Sequence, residues 1–174
     1  MEIRNLVRLA GAAAALGGAA RVLSAFVPYV PSHPGLEALY AAIDVLLSFG
    51  LVGAYLTRAR EIGVAGLCAF VLAASGLSFI GGPDADVFGF STYQVGGAVV
   101  ALAMAAFGAI VLVRRAAAPW APACWIASLA AGLVASLGPA GDSRYAHWAF
   151  VAAGVLFGAG FVAIGREMLR QPGA

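Results

Sequence analysis

Charged residues are scarce in this chain, and lysine is missing altogether. Charged residues make up 10% of the 174 positions and hydrophobic residues 63%, and the mean hydropathy is +0.95. A soluble domain is about half apolar and about a quarter charged, so this composition excludes a water-soluble fold of this size. All ten basic residues are arginine, and with the abundant alanine and glycine this indicates a GC-rich bacterial source.

Histidine and cysteine are also scarce, with two of each. His33 and His147 both lie at the edges of apolar stretches, whereas a membrane cytochrome needs pairs of haem-ligating histidines within its helices. Cys68 and Cys124 are far apart and form no C-x-x-C motif, which disfavours disulfide exchange. The sequence therefore predicts no cofactor.

Catalytic motifs are missing as well. There is no H-E-x-x-H, no glycine-rich phosphate loop and no redox-cofactor motif. The dipeptide Ser75-Gly76 is similar to the serine-glycine pair of rhomboid proteases, but Ala73 stands where that family has glycine. Since no nucleophile has a base within reach, we predict that the chain is not an enzyme.

Three aspartates lie between the predicted helices on the side of His147, at Asp84, Asp86 and Asp142. Their carboxylate oxygens are suitable ligands for a divalent cation. Acidic outer loops are, however, the ordinary counterpart of arginine-rich loops on the other side of a membrane. We therefore predict no metal site.

Six apolar stretches are each long enough to cross about 30 Å of hydrocarbon as a helix. Proline and glycine separate most of them, while charged residues mark the link between Thr57 and Gly63. The sequence predicts an all-α polytopic integral membrane protein, with residues 1–174 forming one transmembrane domain of three helical hairpins. The six spans are residues 6–29, 36–57, 63–81, 93–113, 121–138 and 146–165.

The distribution of arginine predicts the orientation. With a cytoplasmic N-terminus, eight of the ten arginines face the cytoplasm, while the outer loops carry Arg144 and four acidic residues. Because short cytoplasmic segments are enriched in arginine, we expect both termini inside and a bacterial inner-membrane location. The basic residues form no nucleic-acid patch. In an alternative interpretation, Arg4, Arg8 and the Ala-rich run to Ala20 form a signal peptide, whose cleavage would leave five spans.

Two charged residues fall inside predicted spans. Arg21 lies in the outer half of the first span and Asp44 in the outer half of the second, at depths that differ by a few ångströms at about 1.5 Å per residue. Either charge alone near the bilayer centre costs about 2.5 to 3.5 kcal/mol on insertion scales. The sequence therefore predicts a buried salt bridge between Arg21 and Asp44.

Other polar residues extend this pair into a stripe. On the second helix Tyr40, Asp44 and Ser48 follow one another at four-residue spacing and share one face, and Gln94 lies in the outer half of the fourth helix. These residues predict an outward-facing polar pocket with Arg21 as an anion anchor, typical of a small-molecule or ion binding or transport component. In the alternative interpretation the charge pair only fixes helix register.

Small residues recur at helical spacing. The sixth span contains Gly154 and Gly158 in a G-x-x-x-G motif, and the first helix is rich in alanine and glycine. Such faces allow helices to approach closely, either within the bundle or against a membrane-protein partner or a second copy of the chain. They support a second hypothesis, a non-catalytic structural or regulatory subunit that docks onto another membrane protein.

The size, the six spans and the Ala-rich first helix resemble the substrate-binding subunits of energy-coupling vitamin transporters. The resemblance covers one helix and the general architecture. It implies that residues 12–20 contact a partner subunit and that a substrate pocket opens outward. The chain departs from that group in its outer loops, which lack a long segment that caps the substrate.

Overall fold

Six α-helices run up and down in the computed structural model, which describes residues 3–27, 30, 33–80, 89, 91–137 and 143–170. All six are long and apolar enough to span a membrane, and no strand occurs within the described ranges. The predicted all-α architecture of six helices is confirmed. The helices are α1 Ile3–Ser24, α2 Pro34–Leu56, α3 Ala59–Ile80, α4 Thr92–Val113, α5 Trp120–Leu137 and α6 Ser143–Arg170.

Capping side chains define the starts of two helices. The Nδ1 atom of His33 accepts the N–H of Leu36 at 3.3 Å, and Pro34 occupies the first helical position, where its missing N–H costs nothing. The Oγ atom of Ser91 accepts the N–H of Gln94 at 3.3 Å at the start of α4. These contacts satisfy N–H groups that have no partner within the helix.

The first helix ends earlier, and the sixth later, than hydropathy predicts. The predicted span 6–29 continues past Ser24, but α1 ends there and the next residues form tight turns, with Val27 N–H donating to the Ser24 carbonyl. The predicted span 146–165 stops short of Arg170, where α6 ends. Both differences arise because hydropathy follows side-chain polarity, whereas a helix ends where its backbone hydrogen bonds end.

Each helix packs antiparallel against the next, and α6 completes a ring by packing on α1; α2 also contacts α6. The backbones of α1 and α6 approach closely, since a Cβ atom added at Gly18 would lie 2.5 Å from the Gly158 carbonyl oxygen. The same two helices meet again at Gly11 and Gly165, where a Cβ on Gly165 would lie 2.6 Å from the Gly11 oxygen. Small residues thus bring two backbones into contact.

Only Thr57 and Arg58 separate α2 from α3. Within α3 the backbone breaks at Gly63, whose φ of 58° and ψ of −154° are open essentially to glycine alone. The break divides a short first turn with exposed Arg60 and Glu61 from the apolar segment that follows. It coincides with the residue at which the sequence predicts the third span to begin.

Aromatic rings fill the centre of the bundle. Trp125 of α5 packs edge-on against Phe107 of α4 and Phe161 of α6, with ring centroids 6.0 and 5.4 Å apart. On the outside, large apolar side chains such as Leu23, Val64, Leu102 and Leu137 are exposed. A surface this apolar is suited to hydrocarbon rather than to water.

Candidate functional site

Most of the arginines gather at one end of the bundle. This arginine-rich end comprises the start of α1, the α2–α3 connection, the α4–α5 connection and the end of α6, which the antiparallel packing brings together. Arg21 on α1 and Asp44 on α2 lie in the other half of the bundle. The arginine-rich end carries Arg4, Arg8, Arg58, Arg60, Arg114, Arg115, Arg166 and Arg170.

The packing of α1 on α2 brings Arg21 and Asp44 to the same level. A Cβ atom on Gly17 would touch Leu46 and Leu47 of α2, and Arg21 and Asp44 lie about one turn further towards the same end of the bundle. Both side chains are half-buried.

Among the described residues, the direct salt bridge that the structure forms joins other partners, Arg58 and Glu167. No such bridge joins Arg21 to Asp44 among the described residues, where the sequence predicts one. The Arg21 guanidinium extends towards α6, where its Nη2 atom lies 3.8 Å from the position a Cβ atom on Gly154 would take. The missing side chain at residue 154 leaves room for it.

The remaining residues of the predicted pocket do not all come together. Tyr40 packs against the apolar core, and Ser48 is half-buried one turn beyond Asp44. Gln94 is exposed on α4, which packs against α3 and α5 and not against α1 or α2. The structure therefore separates Gln94 from the pair, because the ring arrangement places two helices between α4 and α1. A ligand-binding role for the others stays a prediction.

The aspartates weighed as cation ligands, Asp84, Asp86 and Asp142, lie outside the described residues. Within the described part of the chain, no group of three or more potential metal-ligating side chains occurs.

The small-residue faces that could dock a partner are occupied within the chain. Gly158 meets Gly18 and Val22 of α1, and Gly154 lies beside Ala25 and Arg21. The first helix also packs on α2, where a Cβ added at Gly50 would lie 2.6 Å from the Ala14 Cβ. These contacts favour the interpretation of the small residues as packing faces inside the bundle.

The arginine-rich end contains an ion pair that the sequence does not predict. Arg58 is 2% exposed, and its Nη2 atom donates to Oε1 of Glu167 at 2.7 Å. Its Nη1 atom donates to the Thr57 hydroxyl at 2.6 Å and to the Ala54 carbonyl at 3.3 Å. Arg58 therefore satisfies carbonyl and hydroxyl oxygens at the C-terminus of α2, where a cation is also favoured by the helix dipole.

Glu167 extends the same network to the α4–α5 connection. Its second oxygen, Oε2, accepts the backbone N–H of Ala118 at 3.3 Å. One carboxylate on α6 thus binds the connection that follows α2 and the connection that follows α4. This arrangement holds three of the four segments at the arginine-rich end in fixed relation.

An open groove adjoins this network between the start of α5 and the end of α6. It has a volume of about 560 Å³, within the range of small-molecule sites. It is lined by three alanines, Ala118, Ala121 and Ala163, by the large side chains of Trp120, Arg166 and Arg170, and by Glu167. Trp120 is 75% exposed, and both arginines are exposed.

The sequence predicts that these arginines face the cytoplasm, but not that Arg58 is buried or that Arg166 and Arg170 border a groove. The burial of Arg58 depends on contacts with a residue 109 positions away, which no local pattern reveals. One pattern in the sequence could have indicated the groove. Arg166 and Arg170 are four residues apart and share one face of a helix, and Trp120 begins another helix.

No family model, curated protein or solved structure matches this chain.

Proposed function

We propose that the chain is an integral protein of a bacterial inner membrane, with both termini in the cytoplasm and the arginine-rich end facing inward. The support is the six apolar helices, the exposed apolar surface around them and the gathering of eight arginines at one end. This is the distribution that the positive-inside rule requires.

This orientation can be tested by cysteine labelling in spheroplasts. In a chain with Cys68 and Cys124 changed to alanine, a single cysteine replaces either Arg60 or Arg144. A membrane-impermeant maleimide should label the cysteine at 144 in intact spheroplasts and the cysteine at 60 only after permeabilisation. Labelling at 60 in intact spheroplasts would contradict the proposed orientation.

We propose further that the protein is a non-catalytic binding or transport component whose ligand is a small anion held at Arg21. The observation that carries this proposal is the half-buried Arg21 guanidinium, which reaches Gly154 of α6 and, among the described residues, forms no salt bridge with Asp44. An ionisable residue inside an apolar span is costly and is most often found on a substrate or ion pathway.

Asp44 sets the strength and selectivity of such a site. The negative charge of Asp44 attracts Arg21 and repels a second anion. An anionic ligand must therefore bind despite this repulsion or replace Asp44 as the partner of Arg21. This arrangement favours weak and reversible binding, which suits transport better than storage. Removing the carboxylate should therefore strengthen anion binding, whereas removing the guanidinium should abolish it.

The experiment is thermal unfolding of the purified full-length chain at constant ionic strength, with chloride replaced by sulfate, phosphate, acetate or citrate. At least one anion should raise the unfolding midpoint of the wild type, by the linkage of ligand binding to folding. Arg21→Gln should remove this shift and Asp44→Asn should enlarge it. Arg8→Gln, which removes an exposed charge from the same helix, is the control and should leave the shift unchanged.

Two results would contradict the anion site. One is a shift that persists in Arg21→Gln. The other is that no anion shifts the unfolding midpoint of the wild type, while the double variant Arg21→Gln/Asp44→Asn is as stable as the wild type. This second result would assign the pair an architectural role.

A further inference from the structure

The groove at the arginine-rich end has the features of an interfacial lipid site. Its arginines lie on successive turns of one face of α6, at the point where the apolar segment of that helix gives way to polar residues. Tryptophan prefers the boundary between hydrocarbon and headgroups, and Trp120 is exposed at this level. Basic pockets between transmembrane helices on the cytoplasmic side are known to bind anionic headgroups.

We infer that this groove binds the phosphate of an anionic phospholipid, with Arg166 and Arg170 as its two donors. Each guanidinium presents several N–H groups in a planar fork that matches phosphate oxygens. Small and aromatic residues, Ala118, Ala163 and Trp120, form the apolar part of the lining, against which the glycerol and the first acyl carbons would pack. This inference rests on the proposed membrane location and is independent of the Arg21 site.

Glu167 borders the groove but does not oppose an anion there. Oε1 of Glu167 is bound to Arg58 at 2.7 Å, and Oε2 accepts the Ala118 N–H at 3.3 Å. Its negative charge is matched by the buried Arg58, so the charges of Arg166 and Arg170 are left for the ligand. The same two bonds fix the last turns of α6 and so hold the two donors in place.

A soluble phosphate compound is a less suitable occupant. The groove is shallow and open, and most of its lining is apolar, so a free phosphate would exchange readily with water. A lipid headgroup is confined to the interface, at the level of Trp120, and its acyl chains lie along the apolar surfaces of α5 and α6. The favoured ligand is therefore phosphatidylglycerol or a phospholipid of the same charge.

The test compares lipids on the intact, full-length chain in detergent. Purified protein receives dioleoyl-phosphatidylglycerol, dioleoyl-phosphatidylcholine or inorganic phosphate, and bound lipid is counted by native mass spectrometry while stability is followed by thermal unfolding. Phosphatidylglycerol should bind and raise the unfolding midpoint, and the other two should not. Equal effects of phosphatidylcholine, or protection by inorganic phosphate alone, would overturn the inference.

A matched pair of double variants localises the effect. Arg166→Gln/Arg170→Gln removes both donors from the groove, and Arg60→Gln/Arg114→Gln removes two exposed charges from the same end outside it. Loss of two interfacial arginines should weaken phosphatidylglycerol binding about 10- to 30-fold in the first variant. The second should change it less than about threefold if the arginines act by contact. Equal weakening would show that only the overall charge matters and would overturn the site.

This result is distinct from the failure of other proposals. If the chain does not insert as proposed, cysteine labelling fails independently of lipid. If the Arg21 site is absent, small anions do not raise the unfolding midpoint, while the protein still binds phosphatidylglycerol in preference to phosphatidylcholine.

Discussion

Arg58 and Glu167 form an ion pair of 2.7 Å across 109 residues of chain, and this pair unites the connections at the arginine-rich end of the bundle. Arg58 is almost fully buried, while Glu167 retains 28% exposure. Such a pair must offset the cost of removing two charges from water. The added bonds to Thr57, Ala54 and Ala118 supply most of the required partners, while the buried Nε atom of Arg58 has no hydrogen-bond partner among the described residues.

Breaking this pair from one side should destabilise the protein strongly. Glu167→Gln leaves Arg58 buried without its counter-charge, and removing one partner of a buried pair costs about 3 to 5 kcal/mol. We expect about 2 to 4 kcal/mol here, because Glu167 remains partly exposed and water can reach the vacated position. Unfolding in mixed micelles with increasing sodium dodecyl sulfate measures the loss.

The double variant and a neighbouring arginine provide the controls. Arg58→Met/Glu167→Leu replaces both charges with apolar side chains and should recover most of the lost stability. Arg60→Met removes an exposed arginine two residues away and should change the free energy of unfolding by about 0.5 kcal/mol or less. If Glu167→Gln lowers the free energy of unfolding no more than Arg60→Met does, the ion pair makes no net contribution to stability.

Gly63 should be intolerant of alanine for a reason that involves no contact. A Cβ atom at this position would meet nothing within 4 Å, yet its φ of 58° and ψ of −154° are strongly disfavoured for any other residue. We expect Gly63→Ala to lower the free energy of unfolding by about 1 to 3 kcal/mol. The same denaturation experiment measures it.

Gly97 in α4 is the matched control for this effect. It too has open space around its Cα atom, but its backbone is helical. Gly97→Ala should be neutral or should stabilise the protein by about 0.5 to 1 kcal/mol, since alanine is the better helix former. Equal effects of the two substitutions would mean that α3 can straighten at residue 63.

Helix positions followed from sequence because they depend on a local property. The second, fourth and fifth spans are predicted within two residues of α2, α4 and α5. Proline and glycine, or charged residues at the end of α2, interrupt the apolar stretches close to where helical hydrogen bonding ends. At Ser24 the two properties separate, since α1 ends there while the apolar stretch continues. The shared level of Arg21 and Asp44 follows from their similar depths on the two neighbouring helices of a hairpin.

The sequence revealed much less about the arginine-rich end. Arg58 is surrounded by Thr57, Arg60 and Glu61, a pattern typical of a solvated turn, and its burial comes from α6 folding back over it. Gln94 was misplaced for a related reason, because a polar residue at the correct depth need not lie on a neighbouring helix. Depth can be derived from hydropathy, but adjacency around a ring of helices cannot.

The contact between α1 and α6 makes a third prediction. At Gly158 a Cβ atom would lie 2.5 Å from the Gly18 carbonyl oxygen and 2.9 Å from the Val22 side chain, so alanine there must push two backbones apart. Overpacking of this kind costs about 1 to 3 kcal/mol. Gly158→Ala should therefore destabilise the protein, whereas Gly132→Ala, which meets nothing within 4 Å in α5, should not. A tolerated Gly158→Ala would show that α6 can shift relative to α1.

The end of α4 offers a pair of arginines with opposite expected responses. Arg115 has a φ of 53°, and the Ala116 and Arg115 N–H groups donate to the carbonyls of Val111 and Leu112, which is the Schellman pattern that favours glycine. The left-handed conformation costs a non-glycine residue about 1 to 2 kcal/mol. Glycine relieves this strain, but it also raises the conformational entropy of the unfolded chain, which opposes folding. Arg115→Gly should therefore leave the free energy of unfolding unchanged or raise it by up to about 1 kcal/mol.

Arg114 precedes it with a φ of −81° in the right-handed helical region, so Arg114→Gly gains nothing from relief of strain and should cost about 0.5 to 1 kcal/mol. The two variants remove the same charge from adjacent exposed positions, and their difference therefore isolates the backbone. Detergent unfolding midpoints should rank Arg115→Gly above Arg114→Gly. The reverse order would mean that the Arg115 side chain makes a contribution larger than the strain of its backbone.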